Sequence, residues 1–338
     1  MKLITMDKIL VMGCGSWGSA LAQALSENDY HVSMWHYNEK KLINFKTTRI
    51  HPNLLNFNFN KDIEFIYDLK KVVSDSNIIV LATPTKSIRE IVSRIKPYLN
   101  KRHIIVNTSK GLEADTFFTM SEVITDVVGL EFNNIVSMHG PSHAEEVIMG
   151  QPTTLVSASA NIDIAKKIQN IFSSNNIRVY TNYDIKGVEI GGSLKNIIAI
   201  ATGICDGLGF GDNTKAAIIT RGIAEITRLG VKMGADRSTF RGLSGIGDLI
   251  ATCLSKHSRN RFVGEALGSG KSLRKILESM DMVAEGVFTA KAAYVLSKKY
   301  SIDMPIANAV HEILFEEVDV KNIVLNLMSR DLIQEKNN

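Results

Sequence analysis

The first residues that point to chemistry are three glycines near the amino terminus, Gly13, Gly15 and Gly18, which form a G-x-G-x-x-G pattern. The pattern follows a short apolar run and precedes a helical pattern, which is the context in which such glycines bind a dinucleotide. The first permits a tight turn, the second lets a pyrophosphate approach the backbone, and the third allows helix and strand to pack closely. The helix amino terminus attracts the anion. The alternative is a glycine-rich turn that binds no ligand.

The residues after the next strand bear on which dinucleotide would bind. An acid at this place binds the ribose of NAD, whereas a basic residue favours the phosphate of NADP. No acid follows Trp35 directly, and the next two residues are His36 and Tyr37. Either His36 contacts a phosphate and Tyr37 stacks on adenine, or both lie in a solvated loop. The sequence therefore predicts NAD or NADP without choosing between them.

Two lysines and an aspartate are candidates because each is a charged residue in an unusual setting. Lys110 comes just after a predicted strand, and open α/β sheets bind ligands beyond the carboxyl ends of their strands. Lys195 lies in an otherwise apolar helical stretch, where an ammonium group is costly to bury without a partner. Alternatively, Lys195 reaches the surface along its own apolar stem. Asp248 lies in a glycine-flanked loop, where it either orients another group or caps a helix.

A further candidate site precedes a helical pattern that is stopped by Gly268. Ser258 has the residue type and position of a helix N-cap, and Arg259 and Asn260 follow it. Unpaired N–H groups at such a helix start, together with a guanidinium and an amide, make an anion site. The alternative is a capped surface helix that binds nothing.

These candidates require a framework of strands and helices. The first half alternates apolar runs with amphipathic stretches, which predicts a doubly wound, mostly parallel sheet. We expect its strands at residues 9–12, 31–35, 78–82, 104–107, 135–138 and 154–158. Helical patterns dominate after about residue 186, at 189–208, 214–229 with a cap at Gly230, 273–277, 290–296, 310–315 and 324–332. The predicted fold class is α/β, with an N-terminal doubly wound Rossmann-like domain, residues 1–187, followed by an all-α C-terminal domain, residues 188–338.

Composition narrows the class of protein. With 338 residues, of which 45% are hydrophobic, the chain has ample material for a core, so disorder is excluded as its main state. A net charge of +4 is too small to indicate binding to nucleic acid or to an anionic membrane. The three cysteines cannot form a disulfide framework. No apolar run approaches the roughly 20 residues that span a bilayer. We therefore expect a soluble cytoplasmic protein with no nucleic-acid partner and no membrane insertion.

Several further segments complete a set that resembles a known family. They are residues 109–113, 140–144, 192–196, 211–216, 219–222, 245–249, 252–253, 258–260 and 285–286. Together with the glycine turn they resemble the NAD(P)-dependent glycerol-3-phosphate dehydrogenases of the soluble bacterial type, over roughly residues 9–326. The resemblance implies reversible reduction of dihydroxyacetone phosphate to sn-glycerol 3-phosphate by NADH or NADPH, feeding glycerophospholipid synthesis. It also implies a homodimer.

The resemblance further implies a role for each matching residue. Lys195 is the proton donor and acceptor, because an ammonium group stabilises the charge that grows on a ketone oxygen and can protonate it. Its pKa would be lowered by Lys110 and raised by Asp248. The implied substrate contacts are Lys110, Gly140, Ser142, Lys195, Asp248, Ser258, Arg259 and Asn260. The implied cofactor contacts are Gly13, Gly15, Ser16, Trp17, Gly18, His36, Tyr37, Lys110, Ala144, Arg259, Val283 and Glu285. No metal is expected.

The chain departs from the family pattern in places. Members usually have a small residue after the second-strand tryptophan and then Arg or His, so the ring nitrogen of His36 comes one position early. His139 stands where serine is usual, and residues 44–60 match loosely, which leaves the shape of that loop open.

Two alternatives to this family explain only part of the pattern. Another β-hydroxyacid-type dehydrogenase of the same architecture would keep the glycine turn but would not explain residues 258–260 as a phosphate site. A dinucleotide-sensing protein would lack a catalytic side chain, whereas Lys110, Lys195 and Asp248 are all present.

Overall fold

The protein was analysed as a computed structural model that describes residues 7–280, 284–316, 318–332 and 334. The chain forms two compact units. The first comprises Met1–Ser109 and Met120–Ile185, and the second comprises Lys110–Thr119 and Lys186–Asn338. The segment Lys110–Thr119 therefore belongs with the second unit, whose apolar core includes Leu112. The predicted single boundary between residues 187 and 188 does not account for this segment, because the chain enters the second unit at Lys110 and returns to the first at Met120.

The first unit is built on an eight-stranded sheet in the order β3-β2-β1-β4-β5-β6-β7-β8. Its strands are β1 (Lys8–Met12), β2 (His31–Trp35), β3 (Glu64–Phe65), β4 (Ile78–Leu81), β5 (Ile104–Asn107), β6 (Ile135–His139), β7 (Thr153–Ala158) and β8 (Ile177–Asn182). Every neighbouring pair is parallel except β6 and β7. The prediction of a doubly wound, mostly parallel sheet is confirmed. It missed β3, which has two residues, and the edge strand β8, in which exposed Arg178 and Tyr180 interrupt the apolar residues.

Helices cover both faces of this sheet. They are α1 (Ser16–Glu27), α2 (Glu39–Thr48), α3 (Leu69–Asp75), α4 (Ile88–Ile95), α5 (Met120–Val128), α6 (Ala144–Ile148) and α7 (Ile162–Phe172). Two apolar clusters result, because successive residues of a strand point to opposite faces. All four residues of β4 are buried, as expected for a strand covered on both sides.

Among its described residues the second unit contains helices and no strand. The helices are α8 (Ile185–Gly207), α9 (Asp212–Lys232), α10 (Asp248–Leu254), α11 (Arg259–Gly268), α12 (Leu273–Glu278), α13 (Glu285–Tyr300), α14 (Pro305–Phe315) and α15 (Val320–Met328). The all-α prediction is confirmed. By length and composition α8 could cross a membrane. The search for uninterrupted apolar runs missed this helix because polar residues interrupt its apolar ones. The 18-residue window that meets this test is wholly buried in the protein, as in the core helix of a globular domain.

Two predicted helices have wrong bounds. Helix α9 continues through Gly230 to Lys232, and Gly230 is buried against Phe240, whose ring would lie 2.2 Å from a Cβ at this position. Gly230 therefore allows the helix to pack closely against Phe240 and does not cap it. The residue with the left-handed conformation is Gly234, with φ of +96°. The last helix spans Val320–Met328 rather than residues 324–332.

Helices α8 and α11 cross with their backbones in contact. A Cβ on Gly203 would lie 2.0 Å from the carbonyl oxygen of Arg261, and a Cβ on Gly264 would lie 2.0 Å from that of Ile200. Since no real Cβ tolerates such distances, this crossing requires glycine on both helices. It fixes the start of α11 beside α8, the helix that carries Lys195.

Candidate functional site

The glycine turn lies between β1 and α1, as predicted. Gly13 has φ of +114°, and a Cβ there would lie 2.5 Å from the carbonyl oxygen of Ala82. A Cβ on Gly18 would lie 2.2 Å from the carbonyl oxygen of Gly13, so both positions require glycine. Gly15 differs, because it is exposed and a Cβ there would meet nothing within 4 Å. The turn is therefore closed against the sheet at Gly13 and Gly18 and open at Gly15.

The open side of the turn is also the start of helix α1. Gly15 is the N-cap, no side chain caps the helix, and its first turn contains no acidic residue. The first N–H groups of α1 therefore have no capping side chain, and together with the positive end of the helix dipole they can bind an anion that is not part of the helix. Ser16 Oγ and Trp17 Nε1 have no hydrogen-bond partner in the described part of the chain. These features fit the pyrophosphate of a dinucleotide.

The residues after β2 lie next to this turn, because Gly13 N donates to the carbonyl oxygen of Trp35 over 3.0 Å. The rings of His36 and Tyr37 stack with centroids 4.5 Å apart, and the Tyr37 side chain is largely exposed. His36 Nδ1 accepts the N–H of Asn38. Burial is the main cause that lowers the pKa of His36 below its ordinary value, which favours the uncharged ring. His36 therefore offers a neutral hydrogen bond rather than a full positive charge.

The turn after β6 holds three predicted site residues. Gly140 has φ of +148°, Ser142 Oγ donates to the Gly140 carbonyl oxygen over 2.9 Å, and Ala144 is the first residue of α6. Because β1, β4, β5 and β6 run parallel, their carboxyl ends lie at one edge of the sheet. The glycine turn and the β6–α6 turn therefore share that edge.

In the second unit, Lys195 and Lys110 converge on one carboxylate. Lys195 Nζ lies 2.5 Å from Asp248 Oδ1, and Lys110 Nζ lies 2.8 Å from Asp248 Oδ2. The side chains of Lys195 and Asp248 are 6% and 2% exposed. Two ammonium groups against one carboxylate leave this cluster with a net positive charge. The alternative of a surface lysine is wrong, and so is that of a helix-capping aspartate, since the N-cap of α10 is Gly247.

Burial has the largest effect on the pKa of Lys195. It lowers that pKa, the carboxylate of Asp248 raises it, and the ammonium of Lys110 lowers it, which brings the pKa from 10.5 to about 8. The resemblance supplied the two charged neighbours, whereas the predicted shift left out burial, which is its largest cause. For Asp248, burial raises the pKa, but the attraction of both lysines outweighs burial and holds it below its ordinary value. The carboxylate therefore stays ionised, while Lys195 can exchange a proton near neutral pH.

Thr252 is a member of this cluster that the sequence analysis did not assign. Its Oγ1 accepts from Lys195 Nζ over 2.5 Å and donates to the Asp248 carbonyl oxygen over 2.7 Å. Thr252 comes four residues after Asp248 on α10, a spacing that places both side chains on one face of a helix. A π-helical turn, Leu243–Gly247, leads into α10, and such turns are frequent at functional sites. Of these two signals, only the four-residue spacing is visible in the sequence once Asp248 is a candidate.

The start of α11 is the last group. Ser258 is its N-cap as predicted, and its Oγ accepts the N–H of Arg261 over 3.2 Å. Asn260 is buried, and its Oδ1 accepts the N–H of Gly286 over 3.0 Å. A Cβ on Gly286 would lie 2.9 Å from the carbonyl oxygen of Asn196, the residue after Lys195. The structure thus brings Asn260, the start of α13 and the Lys195 region of α8 together.

The remaining predicted residues are placed as follows. Arg259 is the first residue of α11, and Glu285 is the first residue of α13. Val283 lies outside the described residues. The candidates thus form one set at the sheet edge of the first unit and another around Lys195 in the second. Within the described ranges, no group of three or more His, Cys, Asp and Glu side chains is arranged to hold a metal ion.

Two family models match this chain. The model described as NAD-dependent glycerol-3-phosphate dehydrogenase N-terminus matches residues 8–165, and the model for the C-terminus of the same enzyme matches residues 184–325. Between them they cover both structural units.

Similar proteins extend this result over the full chain. A glycerol-3-phosphate dehydrogenase [NAD(P)+] from Bacillus subtilis is 47% identical over 98% of this chain and 96% of its own length. One from Staphylococcus epidermidis is 47% identical over 96% of this chain and 99% of its own. A crystal structure of glycerol-3-phosphate dehydrogenase from Coxiella burnetii, 34% identical, superimposes with a TM-score of 0.91 over 96% of this chain and 99% of its own. A D-mandelate dehydrogenase, 13% identical with a TM-score of 0.65, shares the fold alone.

Proposed function

Because this chain belongs to the NAD-dependent glycerol-3-phosphate dehydrogenase family, we propose that it interconverts dihydroxyacetone phosphate and sn-glycerol 3-phosphate, using NADH or NADPH. The observation that carries this proposal is the cluster of buried Lys195 and Asp248 with half-buried Lys110. It combines a net positive charge, suited to an anionic substrate, with a lysine whose pKa of about 8 suits proton transfer.

Lys195 is the proposed acid and base. An ammonium group has three N–H donors, and two of those of Lys195 are directed to Asp248 and Thr252. The third is available to a substrate oxygen. During reduction Lys195 stabilises the charge growing on the ketone oxygen and passes a proton from Nζ to it. During oxidation the neutral amine takes the proton from the hydroxyl group, which a lysine with an ordinary pKa would rarely do at neutral pH.

The remaining substrate contacts fit the charge of a phosphorylated triose. Lys110 adds a second ammonium group beside the reacting oxygen. Ser258, Arg259 and Asn260 offer the phosphate group a helix start, a guanidinium and an amide. Because Asn260 Oδ1 already accepts from Gly286, its amide Nδ2 is the group that donates to the phosphate. Gly140 and Ser142 complete the proposed set.

The cofactor site is proposed at the sheet edge of the first unit. A bound nicotinamide supplies the hydride or accepts it. The glycine turn, Gly13, Gly15 and Gly18, with Ser16 and Trp17, would hold the pyrophosphate, and His36 and Tyr37 would meet the adenosine end. The further proposed contacts are Lys110, Ala144, Arg259 and Glu285. No metal is required, because the lysine cluster provides the positive charge at the oxygen.

The cellular setting is part of the proposal. We propose a soluble, cytoplasmic homodimer whose product enters glycerophospholipid synthesis. The complete burial of the apolar window of α8 supports a soluble protein. Light scattering on the purified chain would measure the oligomeric state.

Paired steady-state kinetics tests the function. Dihydroxyacetone phosphate is held at saturation while NADH and NADPH are titrated separately, with unphosphorylated dihydroxyacetone as the control substrate. We expect turnover with the phosphorylated substrate and little with the control. No turnover with either cofactor, despite measurable dinucleotide binding, would contradict the proposed reaction. The ratio of kcat/KM values for the two cofactors would show what His36 and Tyr37 select.

A further inference from the structure

His51 is a buried histidine of the first unit that the proposed reaction does not use. It lies between α2 and β3 and is 3% exposed. Its Nδ1 accepts the N–H of Asn53 over 3.1 Å, and its Nε2 lies 3.2 Å from the carbonyl oxygen of Cys14. Since Nδ1 accepts, the proton of the neutral ring is on Nε2, and His51 donates to Cys14. Burial lowers the pKa of His51, which is consistent with the neutral ring.

The surroundings of His51 hold its ring in place. It stacks on Phe45 with centroids 5.7 Å apart and an interplanar angle of 6°, and the edge of Phe59 packs against it. The chain around it is closed by a hydrogen bond from Phe59 N to the carbonyl oxygen of Arg49, over 2.8 Å. His51 is therefore a fixed donor.

The acceptor lies in the centre of the glycine turn. Cys14 separates the first two glycines, and its carbonyl group shares a peptide plane with the N–H of Gly15. In a trans peptide these two groups point in opposite directions, and no cis peptide occurs among the described residues. A contact that holds the Cys14 carbonyl group toward His51 therefore directs the Gly15 N–H away from it. Glycine alone would leave this peptide conformationally free.

We propose that His51 is a positioning residue for the cofactor. By holding the Cys14–Gly15 peptide, it presents the Gly15 N–H, the first donor of the open side of the turn, to the pyrophosphate. This inference rests on the proposed cofactor site. It concerns residues 44–60, the segment in which the sequence matches its family only loosely.

Two substitutions separate donation from packing. His51→Gln keeps an N–H donor close to the position of Nε2 but loses the ring. His51→Phe keeps the ring that stacks on Phe45 but loses both hydrogen bonds. A donor role predicts that the Gln variant binds cofactor better than the Phe variant, whereas a packing role predicts the opposite order.

His103 offers a matched control. It is also buried, its Nδ1 accepts the N–H of Asn100 over 2.9 Å, and its Nε2 lies 3.1 Å from the carbonyl oxygen of Val73, outside the glycine turn. His103→Phe therefore removes the same kind of hydrogen bonds from the same unit without touching the turn.

The measurement is the Kd for NADH and for NADPH, from the fluorescence of the reduced nicotinamide on the full chain, with the Tm of each variant. We expect His51→Phe to raise both Kd values about fivefold or more, the effect of one hydrogen bond on an equilibrium constant. We expect His51→Gln to stay within about twofold of wild type, and His103→Phe to lower the Tm without changing Kd. The KM for dihydroxyacetone phosphate should not change.

Other results would overturn the inference. Binding by His51→Phe as tight as wild type, or weaker binding by Gln than by Phe, would show that donation to Cys14 does not position the turn. An equal loss of cofactor affinity in His51→Phe, His51→Gln and His103→Phe would show that the weaker binding comes from lower stability of the protein. If His51→Phe does not fold, His51→Gln decides alone, because a marked loss of binding contradicts a donor role and retained binding supports it. If the wild-type chain binds neither dinucleotide, the proposed function itself fails and this inference fails with it.

Discussion

Lys110 and Lys195 bind opposite oxygens of the Asp248 carboxylate, at 2.8 Å and 2.5 Å. Buried Lys195 and half-buried Lys110 could not lie this close without that carboxylate, because two like charges repel strongly where the dielectric constant is low. The arrangement nevertheless keeps an excess positive charge for the substrate. Asp248 raises the pKa of Lys195, whereas Lys110 lowers it. Substitution of either residue should therefore shift this pKa in a known direction.

Substitution of Lys195 tests its proposed role directly. Lys195→Ala should lower kcat about 10²- to 10⁴-fold, the usual effect of losing a general acid–base group. Lys195→Arg keeps the positive charge but cannot release a proton near neutral pH, so it should not restore oxidation of glycerol 3-phosphate. The Kd for NADH should remain close to wild type in both variants, which serves as the check on folding. Turnover near the wild-type value in Lys195→Ala would remove Lys195 from the mechanism.

The pH dependence of the rate should follow the pKa of Lys195. Oxidation requires the neutral amine, so its kcat should rise as pH increases through about 8, whereas reduction requires the ammonium and should slow over the same range. Asp248→Asn removes the attraction that raises this pKa and leaves burial and Lys110, which both lower it. The profile should therefore move to lower pH. The measurement is kcat against pH in both directions.

Asp206 provides the matched control for this shift. It also receives two cations, with Lys215 at 3.2 Å and Arg261 at 2.7 Å, and it lies on the same helix as Lys195. Asp206→Asn should leave the midpoint of the pH profile in place. A midpoint that does not move in Asp248→Asn would mean that the carboxylate does not control the proton on Lys195.

Arg259 should act on substrate binding rather than on the chemical step. Arg259→Ala removes the guanidinium from the start of α11, so the KM for dihydroxyacetone phosphate should rise by about tenfold or more, as for a lost charge-assisted hydrogen bond. Inhibition by inorganic phosphate should weaken in parallel, and the inhibition constant is the measurement. Arg261→Ala is the control on the same helix, because Arg261 is engaged by Asp206. An unchanged phosphate inhibition constant in Arg259→Ala would show that the anion binds elsewhere.

Features that depend on neighbouring residues could be predicted from the sequence. The glycine turn, the Ser258 cap and the central strands all follow from local backbone chemistry and from patterns of a few residues. The resemblance to a family then supplied roles for single residues. Edge strand β8 escaped prediction because one of its faces is exposed, so it lacks the continuous apolar run of the buried strands.

Features that depend on the folded environment could not be predicted. Asp248 meets Lys195 across 53 residues of sequence and Lys110 across 138, and no local pattern indicates either distance. The dominant effect on the pKa of Lys195 is the loss of water, which requires the packing of the second unit. Gly230 likewise has the residue type of a helix cap, and only the position of Phe240 shows that it serves packing.

Glu225 should make stability depend on pH. It is buried on α9 and accepts the N–H groups of Ile306 and Ala307 over 2.9 Å and 3.1 Å, at the start of α14. Burial raises its pKa from 4.5 to about 7, although the two N–H donors lower it. Between these two pH values the folded protein keeps a proton that the unfolded chain has released, so stability falls as pH rises through that window.

Glu225→Gln removes this titration and keeps an acceptor oxygen. Relative to that variant, the wild-type chain should lose on the order of 1–3 kcal/mol of unfolding free energy between pH 5 and pH 8. Thermal unfolding of both proteins at the two pH values is the measurement. Glu225→Ala is the control, because it leaves two buried N–H groups without their acceptor and should be less stable than Glu225→Gln at both pH values, by about 1–3 kcal/mol. A difference between wild type and Glu225→Gln that does not change with pH would show that the folded and unfolded chains release this proton over the same pH range, so that burial does not raise the pKa of Glu225.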